Sequence, residues 1–195
     1  MKKKTLALLL SLVLVFGVIA GGTIAWLTAQ SDVVVNTFTA SDLGLTITET
    51  PNATVGGERV WKGTVVPGGK EDKDPTLTVD ANSVDCYVYA LVENNMAPYV
   101  TYSVDGTYWE VVKTEGNKVL YRYETVVATA TAAQKLEPVF EEVNYSGELI
   151  TKENIAEISG KTITVQGYAH QSLHTNQATA DAAAIGYFWP TTVTP

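Results

Sequence analysis

Two hydrophobic regimes divide the chain. Leu6 to Ala20 (LALLLSLVLVFGVIA) is an apolar run without a charge, preceded by Lys2, Lys3 and Lys4. Beyond Gly21-Gly22 the pattern becomes short segments of period two. Leu43, Leu45 and Ile47 alternate with Gly44, Thr46 and Thr48, and Leu77 and Val79 sit between Thr76, Thr78 and Asp80. Such alternation marks half-buried strands. In Asp85–Glu93 (DCYVYALVE) both alternating faces are apolar, which predicts a central strand covered on both sides.

Further strands are expected over Arg59–Val66, Tyr108–Lys113, Lys118–Val127, Glu137–Asn144 and Thr162–Ala169, with Asp105-Gly106 and Glu115-Gly116-Asn117 as turns. Helical signals are few. Thr151 is placed to cap a two-turn helix through Ile158, with Gly160 just beyond it, and the alanine-rich 176–185 segment predicts a second helix. Eight or nine short strands with turns between them predict an all-β, jelly-roll-like antiparallel β-sandwich with one or two short helices. It is preceded by a signal-peptide helix. The expected organisation is residues 1–25 as signal peptide, 26–40 as an N-terminal donor or edge strand, and 41–195 as one sandwich domain.

The first segment has the tripartite layout of an export signal: a cationic start, an apolar core, and small residues at Thr23 and Ala25 before a cut. The alternative is an uncleaved anchor, since the 23 residues from Thr5 to Leu27 suffice to span a bilayer. Cleavage after Ala25 leaves 170 residues with 10 basic and 21 acidic side chains, a formal charge of −11. No cysteine follows the apolar run and no sorting motif ends the chain, so the mature protein is expected to leave the membrane.

Charge and composition narrow the function. The chain has 195 residues, 13 Lys+Arg against 21 Asp+Glu, one cysteine and two histidines. An acidic surface repels phosphate backbones, so nucleic acid is not an expected partner. The lone Cys86 excludes an intrachain disulfide and Cys-rich metal sites.

The stretch Gly21-Gly-Thr-Ile-Ala-Trp-Leu-Thr28, followed by Asn36-Thr-Phe-Thr39 and the strand at Leu43–Thr48, resembles the opening of the TasA/camelysin family. Val66-Pro-Gly-Gly and Lys73-Asp-Pro-Thr-Leu-Thr-Val79 resemble that family's Pro-Gly turn and next strand. The similarity covers about the first 50 residues and the 66–92 region. It implies an exported protein of a Gram-positive bacterium, cut between Ala25 and Trp26 by a SipW-type signal peptidase. It also implies a jelly-roll protomer that polymerises into biofilm-matrix fibres, with an accessory protein to anchor or nucleate them. In that mode the N-terminal segment of one subunit adds as a strand to the next. Residue composition agrees: Trp26–Phe38 (WLTAQSDVVVNTF) has high β propensity, one charge, and neither Pro nor Gly. Trp26, Leu27, Val33, Val34, Val35 and Phe38 are the expected polymer contacts. The alternative is that Val33–Phe38 pairs within its own sheet.

Catalytic and metal-binding patterns are weak. His170-Gln-Ser-Leu-His174 has the histidine spacing of a zincin helix, but Gln171 stands where the general base belongs, and the segment follows a strand. Camelysin-like members have been described as metallopeptidases, yet no peptidase, metal or cofactor is expected here. Cys86 reads as a small buried hydrophobe and Glu71-Asp72-Lys73-Asp74 as a solvated turn. Asn52-Ala-Thr54 and Asn144-Tyr-Ser146 are chance glycosylation patterns in a bacterial protein. Tyr99, Tyr102, Tyr108, Trp109, Tyr121 and Tyr123 either line a carbohydrate-binding face or fill the core. The expected function is therefore a secreted structural protein. The competing class is a monomeric cell-surface or secreted binding module for glycans or host adhesion, and an exported metallopeptidase is a third, less favoured alternative.

Overall fold

The computed structural model describes residues 43–50, 53–55, 58–60, 64–128 and 130–190. The chain divides into two compact units, residues 1–39 and 40–195, and everything described lies in the second. The export signal and the 26–40 segment lie outside the described residues, and with them Thr23, Ala25, Trp26, Leu27, Val33, Val34, Val35 and Phe38.

Among the described residues, twelve strands and two short helices build the domain. In chain order the strands are β1 Leu45–Thr48, β2 Ala53–Val55, β3 Glu58–Val60, β4 Lys70–Asp72, β5 Thr76–Val79 and β6 Cys86–Asn94. They continue as β7 Val100–Tyr102, β8 Trp109–Glu115, β9 Lys118–Tyr123, β10 Gln134–Lys135, β11 Glu142–Tyr145 and β12 Ile163–Gln171. The helices are α1, Ile155–Ile158, and α2, Gln177–Phe188. Strands associate in the orders β1-β5-β10, β4-β11-β7 and β12-β6-β9-β8, with β2-β3 as a separate hairpin. Every strand pairing is antiparallel. The domain is an antiparallel all-β sandwich.

β6 explains the layering. Its Cys86, Val88, Ala90 and Val92 face a core shared with Leu77 and Val79 of β5, Val100 of β7 and Val143 and Tyr145 of β11. The intervening Tyr89 and Leu91 face the opposite side, where Leu120 of β9 and Ala180 and Ala184 of α2 complete a second core. One apolar face thus meets the opposing sheets and the other meets a helix, the arrangement anticipated for a strand with two apolar faces.

Local chemistry sets the turns. Gly116 sits at φ +61 in the two-residue loop joining β8 to β9, the left-handed conformation that such tight hairpins require. Gly68 sits at φ +75 in the turn closed by the Gly69 N–H donating to the Val66 carbonyl at 2.8 Å, with Pro67 ahead of it. Asn176 caps α2, its side-chain oxygen accepting from the Thr179 N–H at 2.9 Å.

Several expected boundaries shift. The first helix spans only Ile155–Ile158 and is preceded by Asn154 rather than Thr151. Asn154 bonds backward, accepting from the Thr151 N–H at 2.8 Å and donating to the Leu149 carbonyl at 2.7 Å, so the preceding residues form turns. The 137–144 segment is a strand only from Glu142, because Pro138 interrupts it and Val139 bonds back to the Pro75 carbonyl. The 59–66 strand is confined to Glu58–Val60 among the described residues. The 118–127 strand ends at Tyr123, beyond which Val127 makes an isolated bridge to Cys86.

Candidate functional site

A sheet edge is a row of unpaired N–H and C=O groups, and proteins blunt such edges by shortness, charge or bulges. Most edges here are blunted. β10 has two residues, β7 three and β1 four, while β4 reads Lys-Glu-Asp. β8 is seven residues long, but it carries Glu110, Lys113 and Glu115 and breaks register between Val111 and Lys113.

β12 is the exception. It runs nine residues, ITVQGYAHQ, in unbroken register against β6 from Ile163↔Asn94 to Gln171↔Cys86. It contains no Asp, Glu, Lys, Arg or Pro. Among the described residues no strand pairs with its other side.

An apolar groove opens beside the start of this edge. One cavity of about 1090 Å³ is walled by Ile163, Val100, Val143, Tyr145 and Ile158. A smaller one of about 200 Å³ continues past Val165 to Ile47 and Phe140. The two share Glu49, Lys73 and Ile163, and the Lys73 ammonium forms an ion pair with the Glu49 carboxylate where they meet. The wall at Ile158 is held in place by the Tyr99 hydroxyl, which donates to Glu157 at 2.9 Å. Farther along β12 the two layers close together. A Cβ built on Gly167 would lie 2.3 Å from a methyl of Leu77 and 2.9 Å from one of Leu45, so any larger residue there would force these side chains to shift.

The outer face of β12 carries aromatic residues. Tyr168 stacks on Tyr187 of α2 at 4.9 Å between centroids and 27° between planes, and Phe188 meets it edge-on. The Tyr168 hydroxyl and His170 Nδ1 lie 3.1 Å apart. Tyr187 is 62% exposed.

No family model, curated protein or solved structure matches the chain. The reading of the site therefore rests on the residues themselves.

The sequence-predicted candidates scatter. His170 lies on β12 opposite Tyr87, whereas His174 follows the strand in an exposed turn at φ +59. The end of the strand at Gln171 and the turn closed by the Thr175 N–H on the Ser172 carbonyl, not a helix, separate them. Among the described residues no three His, Cys, Asp or Glu side chains gather as a metal site would require. The 71–74 carboxylates also diverge. Asp72 pairs in register with Glu142, while Asp74 accepts from the Thr50 N–H at 2.7 Å and the Thr50 hydroxyl at 2.6 Å. Burial opposes ionisation of Asp74, but these two bonds prevail and hold its carboxyl below the usual range.

The proposed aromatic face between Tyr99 and Tyr123 is largely interior. Trp109 and Tyr121 are buried, Tyr102 packs on Phe140 at 4.9 Å, and only Tyr108 is clearly exposed. Burial, with a hydrogen bond from Tyr121 to Tyr102, pushes the Tyr121 phenol far above its ordinary range. Tyr187 is more exposed than Tyr108, and it stacks on the half-buried Tyr168, 19 residues away in sequence and brought beside it by the return of α2 across the sheet. No local signal marks them.

Cys86 is fully buried opposite Val127, and burial, reinforced by Asp85, pushes its thiol up to about 11. The thiolate is the reactive form. Near neutral pH the folded protein is expected to react with iodoacetamide roughly 100-fold more slowly than a free thiol. Labelling monitored by mass spectrometry checks this, and native labelling at the unfolded rate would contradict it.

Proposed function

We propose that the protein is a secreted, non-enzymatic structural protein. Cleavage after Ala25 frees the segment beginning at Trp26, which adds as a strand to a neighbouring copy and builds extracellular matrix fibres. The carrying observation is β12: nine residues in unbroken register, without a formal charge, unpaired on one side among the described residues, and flanked by an apolar groove. β-Augmentation uses such an edge, with main-chain hydrogen bonds supplying affinity and alternate pockets supplying specificity. Donation from one copy to the next is head-to-tail and does not close on itself, so it extends into filaments. The N-terminal resemblance to exported matrix proteins supports the same reading. It brings with it a SipW-type peptidase, a Gram-positive cell surface, and an accessory anchoring or nucleating protein as partners.

The test is electron microscopy with light scattering on protein beginning at Trp26, beside the double variant Thr164→Lys, Gln166→Lys. Both positions are on the outer face of β12, so the charges blunt the edge while sparing the core. Filaments are expected from the first protein. Monomers with an unchanged far-ultraviolet circular dichroism spectrum are expected from the second. Filaments from both would remove β12 as the contact. Monomers from both, with glycan binding that Tyr187→Ala abolishes, would replace this reading by the binding module, whose sugar-stacking surface is then the Tyr168–Tyr187 pair.

A further inference from the structure

The two faces of β12 lead into different surroundings. Ile163, Val165 and Ala169 pack against the main core, and Gly167 abuts Leu77 and Leu45. Tyr168 instead packs on the outer side with α2, and Thr164, Gln166 and His170 share its face by alternation. A strand added beside β12 continues the pleat, so its alternate side chains enter the same two layers. One set meets the groove and the other stands beside Gln166, His170 and the exposed Tyr187.

The 26–38 segment has two unlike faces. Its odd positions, Leu27, Ala29, Ser31, Val33, Val35 and Thr37, carry no charge and no amide. Its even positions include Gln30, Asp32 and Asn36 among Trp26, Val34 and Phe38. The groove's deep walls are apolar, Glu49 and Lys73 already engage each other, and Lys161, which also lines it, is solvent-exposed, so a carboxylate pressed against Val100, Val143 and Ile163 would be desolvated there without a buried partner. The outer face is half-solvated and aromatic, which suits a mixture of polar and aromatic side chains.

Resting on the strand-donation reading, we propose that the 26–38 segment of a second copy docks along β12 with its odd-numbered face inward. Val33 and Val35 occupy the groove. Asp32, Val34, Asn36 and Phe38 lie outside, beside the aromatic pair. Val34 and Phe38 are then outer-face contacts rather than groove-fillers, and the three consecutive valines are not equivalent.

The experiment compares four single variants in protein beginning at Trp26: Val33→Asp, Val35→Asp, Val34→Asp and Asn36→Asp. Aspartate has the same low strand propensity at every position, so differences among the four report the face. Polymer is measured by pelleting and electron microscopy, and the monomer by thermal melting. Val33→Asp and Val35→Asp are expected to raise the concentration needed for filaments at least about 100-fold, and Val34→Asp and Asn36→Asp less than about 5-fold. All four monomers are expected to melt with the unmodified protein. The reverse pattern, or equal effects of all four, overturns the face assignment while leaving strand donation standing. A selective loss of monomer melting temperature in Val33→Asp and Val35→Asp overturns it as well, since the segment would then occupy its own groove. Absence of filaments from the unmodified protein overturns both readings, and that control separates the two failures.

Discussion

Trp109→Ala is expected to destabilise the protein by about 3–5 kcal/mol, the range for removing a large aromatic side chain from a core. Trp109 is 2% exposed. Its indole N–H donates to the carbonyl oxygens of Glu137 and Pro138 at 3.2 and 3.1 Å, tying β8 to the irregular segment before β11. Its ring meets Tyr123 edge-on at 5.1 Å and 72°. Truncation opens a cavity in the main core and leaves both carbonyl groups without this donor. Trp109→Phe keeps most of the volume and loses the hydrogen bonds, so a smaller loss of about 1–2 kcal/mol is expected. Urea unfolding followed by tyrosine fluorescence and circular dichroism measures both. A Trp109→Ala protein with unchanged stability would contradict the burial described above. The result also bears on function. Any loss of ligand binding in Trp109→Ala would report a damaged core, so Tyr187 is the informative aromatic for a glycan test.

The second large effect is expected at the clamp that seats α2 on the sheet. Arg122, 5% exposed, donates from Nη1 to both carboxylate oxygens of Asp181 at 2.9 and 2.8 Å and from Nη2 to Glu110. The Tyr89 hydroxyl donates to the same Asp181 at 2.8 Å, and burial together with this bond pushes its phenol far above the ordinary range. Removing one member of a buried ion pair is costly because the remaining charge has lost its water and its partner. Asp181→Ala is expected to cost about 3 kcal/mol, the lower end of that range, since Glu110 continues to engage the guanidinium. Arg122→Met strands Asp181 beside Tyr89. The two substitutions together should cost less than the sum of the singles by about 1 kcal/mol or more. A double-mutant cycle by urea unfolding measures this coupling, and strict additivity would show that the clamp contributes nothing to seating the helix.

The clamp illustrates how much of this fold was legible in the residues and where legibility stopped. Period-two alternation marks the strands at Leu45 and Leu77, and the doubly apolar stretch from Cys86 predicts the strand that β6 forms, buried on both sides. The cap at Asn176 and the left-handed glycines at Gly68, Gly116 and Gly160 likewise follow from side-chain chemistry available in the sequence. The strands at Lys70–Asp72 and Val100–Tyr102 were not apparent, because three-residue strands offer no period to detect and their pairing with β11 is wholly non-local. Alternation also failed to separate core aromatics from exposed ones. Trp109 and Tyr108 are neighbours in sequence, yet one is buried and the other is 38% exposed, because Trp109 opens β8 while Tyr108 ends the preceding turn, its N–H donating to the Asp105 carbonyl.

The candidate site divides along the same line. From sequence alone came an all-β domain, a strand ending near His170, and an N-terminal segment of high strand propensity, since each depends on residues close together in the chain. Only the tertiary structure decided that β12 has one side unpaired among the described residues, that charges and a register break blunt β8 at the other end of that sheet, and that Val100, Val143, Ile158 and Ile163 wall one groove. Local alternation determines which residues can share a face. Which strand is left unpaired, and which faces meet across the sandwich, depends on pairings between segments scores of residues apart, where no local pattern reaches.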